Sequence, residues 1–533
     1  MDDIQYGAQS YGASYIDENM LGAGGKTKRF ISQDNLQRSL KSRHMSMIAI
    51  GGTIGTGLFV ASGASLAEAG PGGSLVAYFI TGIVVYFVMS SLAEMSTFIP
   101  VAGSFNSFAD RFVDPSFGFA IAYNYWYSWI VTTATDLVAA GTIVKFWLPN
   151  VNPLVWSAAS YVIVIFLNMF GARLYGETEF WLALIKVLAI IIFIVVAILV
   201  AAGALGGHTY GVKSWSYKEA PFVGKFGGFI SVFIYAGFSF QGTEIVGVTS
   251  GESKNPSRDV PKAIRSIFWR ILLFYVLTIF LIGLIVPYDD ENLLKADIDA
   301  VAVSPLVLVL ERAGVKPAPH IMNAVILTSV FSASNSGLYL TARALYSLAV
   351  EGKGPKMFTR VSKQGTPVFA LGFGCIIVAI LVGISAIGNT EVYTWLVALS
   401  GVAGFIAWIG ILFTAWRFRR AYKIQGYDQY DLPYVSILYP FGPIFSFVLL
   451  IFIVLAQGYG SFIDAPFDAS LFFQTYIGIP IFLIMWLLYK FIKKTKYIKL
   501  SEIDLETDNY ISLGFENCRH IKTTWKEKLA SLI

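Results

Sequence analysis

"GGTIGTGLFV", residues 51–60, interrupts an apolar run that otherwise reads as helix. Gly51, Gly52, Gly55 and Gly57 fall within seven positions. An interior glycine costs about 1 kcal/mol relative to alanine in a helix, so this segment is written to let a helix come apart. A second stretch, "YAGFSFQGTEIVG" (residues 235–247), is broken in the same way and adds an acid, Glu244. Whether such breaks belong to a packed interior or to a site depends on the solvent around them.

The solvent is lipid. Of 533 residues, 56% are hydrophobic and only 14% charged, against about 25% charged in a soluble domain. Mean hydropathy is +0.63, and 42 Phe, 28 Tyr and 12 Trp suit aromatic belts at membrane interfaces. The chain is expected to be an all-α integral membrane protein. The net charge of +5 does not argue for a nucleic-acid partner, because the basic residues follow the loops. Cys375 and Cys518 are too few for a disulfide framework. No zinc-type cluster, glycine-rich phosphate loop or Ser-His-Asp set is visible, so no cofactor, no metal and no enzyme activity is expected. The start, "MDDIQYGAQSYGASY", is acidic and polar, unlike a cleavable signal peptide.

About 20 helical residues cross the ~30 Å hydrocarbon core. Apolar runs place twelve transmembrane helices near 46–66, 73–99, 117–148, 153–170, 179–203, 226–249, 266–286, 319–349, 367–387, 392–415, 438–460 and 470–492. Basic residues precede span 1 and fill the loops after spans 6, 8 and 10 (Lys254, Arg258 and Lys262; Lys353, Lys356 and Arg360; Arg417, Arg419 and Arg420). Loops rich in Lys and Arg stay inside, so both termini are expected in the cytoplasm. Residues 1–43 read as an N-terminal tail and 495–533 as a polar C-terminal tail. Tails of this length lean towards a fungal plasma membrane over a bacterial inner membrane.

Spans 1 and 6 therefore carry matched glycine breaks in two halves of the chain, the pattern of a transporter site built from inverted repeats. An unwound helix frees amide N–H groups at one half-helix end, where a carboxylate binds, and carbonyls at the other, where an ammonium binds. Together they grip the two ends of an amino acid. Backbone without helical pairing is tolerated at membrane depth only where protein or a cavity receives it. Close helix packing is the competing explanation for such glycines.

Several stretches carry a resemblance: "MIAIGGTIGTGLFVASG", "AGPGG", "SLAEMSTFIPVAGSF", "GFSFQGTEIVGVTSGE", "ESKNPSRDVPKAIRSIFWRILLFY", "SASNSGLYLTARALYSLA" and "TYIGIPIFLIMWLLYKFI". In order and without large gaps over about residues 40–505, they resemble the amino acid permeases of the amino acid–polyamine–organocation superfamily, above all the lysine and basic-amino-acid permeases of bacteria and fungi. The resemblance implies a permease domain over 44–494. It would comprise inverted five-helix repeats at 44–205 and 226–416 and two peripheral helices at 438–494, performing proton-coupled uptake of L-amino acids.

Site residues follow from the same resemblance. Backbone at Ile54, Gly55, Thr56 and Gly57 would hold the substrate α-carboxylate. Carbonyls near Phe238 and Gln241 would take the α-ammonium, with Gly242 and Thr243 in the same break, and Phe238 would be an aromatic lid or an ordinary core residue. Glu244 is a proton carrier, an anchor for a cationic substrate, or a protonated acid bridging helices; intramembrane acids are functional by default. Asp136 lies about 18 Å from the outer end of span 3, at 1.5 Å per residue, where the family carries an acid. It is the first candidate for a lysine ε-ammonium, unless Lys186 neutralises it. Lys186 either snorkels to an interface or stands where sodium-coupled relatives bind their ion, as a proton-coupling group. Ser332, Ser334, Asn335 and Ser336 in span 8 are ligands or interhelical glue. Ser400 would shape the side-chain pocket, and Glu94, Arg343 and Glu252 read as gate or fold residues.

The expected function is import of L-lysine or arginine-class substrates with protons. A broad-specificity permease, an amino acid exchanger and a non-transporting sensor remain as alternatives. Oligomeric state is not legible.

Overall fold

Helix starts are set by short capping signals. Asp114 accepts a hydrogen bond from the Ser116 amide ahead of Pro115, and Asn152 does the same for Leu154 ahead of Pro153. Ser304 accepts from Leu306 ahead of Pro305. A polar N-cap followed by proline satisfies one orphan amide and removes another. The computed structural model describes residue 47 and residues 54–101, 103–250, 253, 256–294, 304–385, 389–463 and 467–514. The tail at 1–43, Gly51, Gly52, Lys254, Glu252 and Cys518 lie outside the described residues.

The principal helices are α1 (Ser62–Phe98), entered through a π-turn at Gly57–Ala61, α2 (Ser104–Phe112), α3 (Pro115–Val144), α4 (Pro153–Asn168) and α5 (Gly171–Ala201). Next come α6 (Lys225–Phe240), α7 (Ile245–Thr249), α8 (Pro256–Arg270), α9 (Leu277–Ile285) and α10 (Pro305–Arg312). The remainder are α11 (Ala318–Val350), α12 (Val368–Ile384), α13 (Asn389–Ile424), α14 (Phe441–Ala456), α15 (Ala469–Tyr476) and α16 (Gly478–Lys493). No β-strand occurs among the described residues.

Several of the expected spans have helical counterparts among the described residues, with some boundaries redrawn. Spans 1 and 2 run together as Gly57–Phe98, kinked at Gly70. That glycine has φ +72°, and a Cβ there would sit 2.8 Å from the Pro221 carbonyl. Six helices are long and apolar enough to cross a membrane among the described residues, or seven if the pair α15 and α16, bent by 45°, is one span. α4, α9 with its preceding π-turn, and α12 are apolar but shorter. α3 owes its lower hydropathy to Asn, Thr, Tyr and Asp136 along its length.

Outer faces of α4, α5, α12, α14 and α16 are apolar. Val162 is 66% exposed and Phe441 80%, with Trp181, Ile192, Ile376, Leu455 and Phe491 also exposed. Helices apolar on both faces belong in lipid, and the chain is a multi-pass membrane protein. α11 packs along α3, α6 along α1, and α13 against both α3 and α6, which brings the two glycine-broken spans beside α3.

At one end of the bundle, residues 495–514 pack against the helices rather than trailing away. Ile503, Leu505 and Tyr510 are buried. The Arg111 guanidinium donates to the carbonyls of Asp504 (2.7 Å) and Thr507 (2.6 Å), Gln425 donates to Leu500 and Ile503, and the Tyr510 amide donates to Phe98. This strap ties α1, α2 and α13 together.

Candidate substrate and proton site

The first break is visible from Ile54. Ile54 and Gly55 form a bend, and helical structure follows through the π-turn at Gly57–Ala61. Freed backbone here is received by neighbouring helices, as membrane depth demands: Ser329 on α11 donates to the Ile54 carbonyl at 3.0 Å, and Ser304 donates to the Phe59 carbonyl at 2.5 Å. Thr56 donates from its hydroxyl to Asp136 Oδ1 on α3 at 2.7 Å. Gly57 is obligatory for packing, since a Cβ would lie 2.3 Å from Ser239 Cα on α6. Backbone thus meets backbone where the two broken spans cross, while Gly55 faces Ala333 with room for ordinary contact.

The second break spans 241–244. α6 ends as Gln241 turns extended (φ −58°, ψ 148°), Gly242 adopts φ +93°, and α7 resumes at Ile245. The left-handed backbone at Gly242 is where glycine is needed. Gln241 turns its amide into α13: Nε2 donates to the Ser400 carbonyl at 2.5 Å, and Ser400 Oγ donates to Gln241 Oε1 at 2.8 Å. Thr132 on α3 shares a hydrogen bond with Ser400. Thr243 donates back to the Phe240 carbonyl. Phe238 packs with Ala61 and Val397, beside Tyr235 and Tyr393.

Glu244 caps this break. Its Oε1 accepts from the Gly242 amide at 3.2 Å and its Oε2 from Trp408 on α13 at 3.4 Å. No cationic side chain is within ion-pair distance of it among the described residues. Lys186 lies elsewhere, in the seam between α5 and α11. Its Nζ is 3.7 Å from Glu179 Oε1, and the same oxygen accepts from Ser332 at 2.6 Å. Thr56, Asp136, Glu179, Lys186 and Glu244 are between 0 and 4% exposed.

The structure therefore joins Thr56 to Asp136, Gly57 to Ser239, and Gln241 to Ser400. It separates Glu244 from Lys186. Ser334 bonds within its own helix, to the Val330 carbonyl, and Asn335 accepts from Asn168 on α4. Sequence reading passed over Glu179, Ser329, Thr132 and Trp408. Only Glu179 carried a signal, standing two helical turns before Lys186 on one face.

Two opened helices crossing at depth, with acids beside both openings, define a helical membrane transporter fold. A crystal structure of a manganese transporter from Eremococcus coleocola shares it, with a TM-score of 0.53 at 13% identity, covering 86% of this chain and 98% of that one; the likeness concerns the fold. The amino acid permease family model matches residues 44–502. The lysine-specific permease LysP of Escherichia coli (strain K12) is 48% identical over 88% of this chain and 96% of its own. A lysine-specific permease of Saccharomyces cerevisiae is 40% identical over 89% of this chain and 79% of its own. The chain belongs to the amino acid permease family: it is a membrane permease for amino acids, not an enzyme.

Proposed function

We propose that the protein imports L-lysine and related basic amino acids together with protons, by alternating access around the two helix breaks. The observation that carries this reading is the 2.7 Å hydrogen bond from Thr56, in the first break, to the buried carboxylate of Asp136. It sets an acid one side chain away from the backbone that would hold a substrate carboxylate. Amides at 54–57 would bind that carboxylate, carbonyls at 238–241 the α-ammonium, and Phe238 would close over the site. Of the two acids flanking the breaks, Asp136 and Glu244, one meets the ε-ammonium and the other takes the proton. The lysine-specific relatives support the substrate class.

Twelve spans, arranged as two inverted repeats of five plus two peripheral helices, accommodate this cycle. Both termini would lie in the cytoplasm of a cell whose plasma membrane holds an inside-negative potential. Each positive charge moving inward gains about 2.3 kcal/mol per 100 mV. A lysine cation with one proton gains twice that, which corresponds to accumulation on the order of a thousandfold.

Radiolabelled lysine uptake into proteoliposomes tests the reading. Concentrative uptake that collapses with a protonophore is expected. Flux indifferent to the proton gradient contradicts symport, uptake only into vesicles preloaded with amino acid indicates exchange, and binding with no internal counts indicates a sensor.

A further inference from the structure

Three ionisable groups sealed from water lie together in the wall of the first break: Asp136 on α3, and Glu179 and Lys186 on α5. Lys186 feels the charges of both acids. Glu179 holds the nearer position, at 3.7 Å, and is itself fixed by the Ser332 hydroxyl. Each acid keeps one buried oxygen, Asp136 Oδ2 and Glu179 Oε2, without a hydrogen-bond partner among the described residues. Two carboxylates and one ammonium leave the cluster a positive charge short. A sealed unit charge without a counter-ion costs several kcal/mol, so closure over this site requires one more positive charge.

Among the described residues packed against α3 and α5, none supplies it. Residues 48–53, which precede Ile54 in the sequence, contain no ionisable side chain. Against α5, α9 brings none and α4 brings only Tyr161, which donates to the Cys375 carbonyl. α10 brings Glu311 and Arg312, the latter paired with Asp290. α11 brings His320 at its first turn and Tyr339, Arg343 and Tyr346 further along, with Arg343 over the Tyr339 ring and donating to the Gly365 carbonyl. Glu177 lies half-buried on α5 itself, and the phenol of Tyr393 on α13 is within electrostatic reach of Asp136. The charged groups of α2, α16 and the end of α13 (Asp110, Arg111, Lys490, Arg417 and Arg419) are engaged around the C-terminal strap and the adjoining loops.

We propose that Glu179 is a positioning residue that occupies the Lys186 ammonium, leaving Asp136 as the group that takes the transported proton and Glu244 as the group that meets the cationic side chain. This rests on the proton-coupled reading above. The proton adds to Asp136 Oδ2 from outside water and leaves to the inside when the site reopens. While it is bound, the Thr56 bond ties the protonated acid to the first break, which links proton to substrate. The closed complex then balances: neutral Asp136, the Glu179–Lys186 pair, and Glu244 with the ε-ammonium.

Proteoliposomes holding each variant, first checked for monodisperse folding in detergent, provide the test. Asp136→Asn should lower lysine accumulation at least tenfold, and its residual lysine exchange should no longer respond to external pH between 5 and 8. Glu179→Gln, by freeing Lys186 for Asp136, should flatten the same pH response. The double variant Glu179→Gln/Lys186→Met restores a lone Asp136 carboxylate and should regain the pH response. Glu244→Gln should lose at least tenfold of the preference for lysine over norleucine while keeping its pH response. An Asp136→Asn protein that still concentrates lysine with unaltered pH dependence overturns the proposal, as does Glu179→Gln with the parent profile. Failure of the underlying reading shows differently, as a parent protein that never accumulates lysine under a proton gradient.

Discussion

Buried charges at two places in this bundle are handled differently. At the strap end, Glu94 receives the Arg419 guanidinium and the Ser436 amide on its carboxylate. Arg111 meets Asp504 at 3.0 Å and adds two backbone carbonyls. Lys353 is shared by Asp110 and Glu351, each at 2.8 Å, but Glu351 reaches the surface, where water can serve it. At the helix breaks, by contrast, the ion pair is 3.7 Å long and two acid oxygens have no hydrogen-bond partner among the described residues. Close ion pairs hold parts in place, whereas a looser, undersupplied set invites a mobile cation. The strap end is built to stay, and the breaks are built to change partners.

Gly57→Val would break that contrast most sharply. Its side chain would press on the Ser239 backbone, 2.3 Å from Ser239 Cα even at Cβ, and force the two broken spans apart. Lysine uptake should fall about a hundredfold or more, since a 1 Å misplacement alone can cost that much. Size-exclusion profiles should still show a folded bundle, because the strap-end pairs are untouched.

Arg419→Met probes the other side. Breaking a buried pair by removing one partner costs about 3–5 kcal/mol, so thermal unfolding in detergent should shift downwards by several degrees. The KM for lysine should stay within about twofold in the folded fraction, the opposite signature to Gly57→Val.

Asp504→Asn should have the smallest effect, since its side chain is 39% exposed and such pairs contribute little. Burial alone would raise its carboxyl, but hydrogen bonds from Thr507 and the Arg111 charge hold it below the ordinary carboxylate range. A depressed acid stabilises fully above its unfolded value and loses that contribution as pH falls through the folded one. Hydrogen exchange over residues 498–510 should therefore be unchanged between pH 8 and 5, correcting for intrinsic rates, and rise only below about pH 4. In Asp504→Asn the exchange should be faster at neutral pH too.

Much of this was legible in the sequence because lipid simplifies the reading. Long apolar runs located the long helices, though not the short ones at Ser104–Phe112 and Pro305–Arg312, and glycine clusters located both breaks, since a glycine in lipid needs a reason. Asp136 and Lys186 stood out as charges at depth. What the sequence withheld was partnership. Ser332 reaching Glu179 and Thr56 reaching Asp136 join residues 153 and 80 positions apart, which no periodicity encodes. Ser334 and Asn335 read as ligands or interhelical glue; Ser334 bonds Val330 within its own helix, and Asn335 accepts from Asn168 across to α4. The strap was read as a polar tail because Ile503, Leu505 and Tyr510 are irregularly spaced among polar residues, and no helix or strand pattern betrays their burial.

The central claim is that an amino acid is held by its two ends between the opened first and sixth spans. Cryo-electron microscopy of the protein in lipid nanodiscs with saturating lysine tests it directly. The account predicts ligand density with its carboxylate on the amides of 54–57, its α-ammonium on the carbonyls of 238–241, and its side chain running towards Glu244. Lysine density seated away from both breaks, with the 54–57 and 241–244 backbones making no contact to it, would contradict the account.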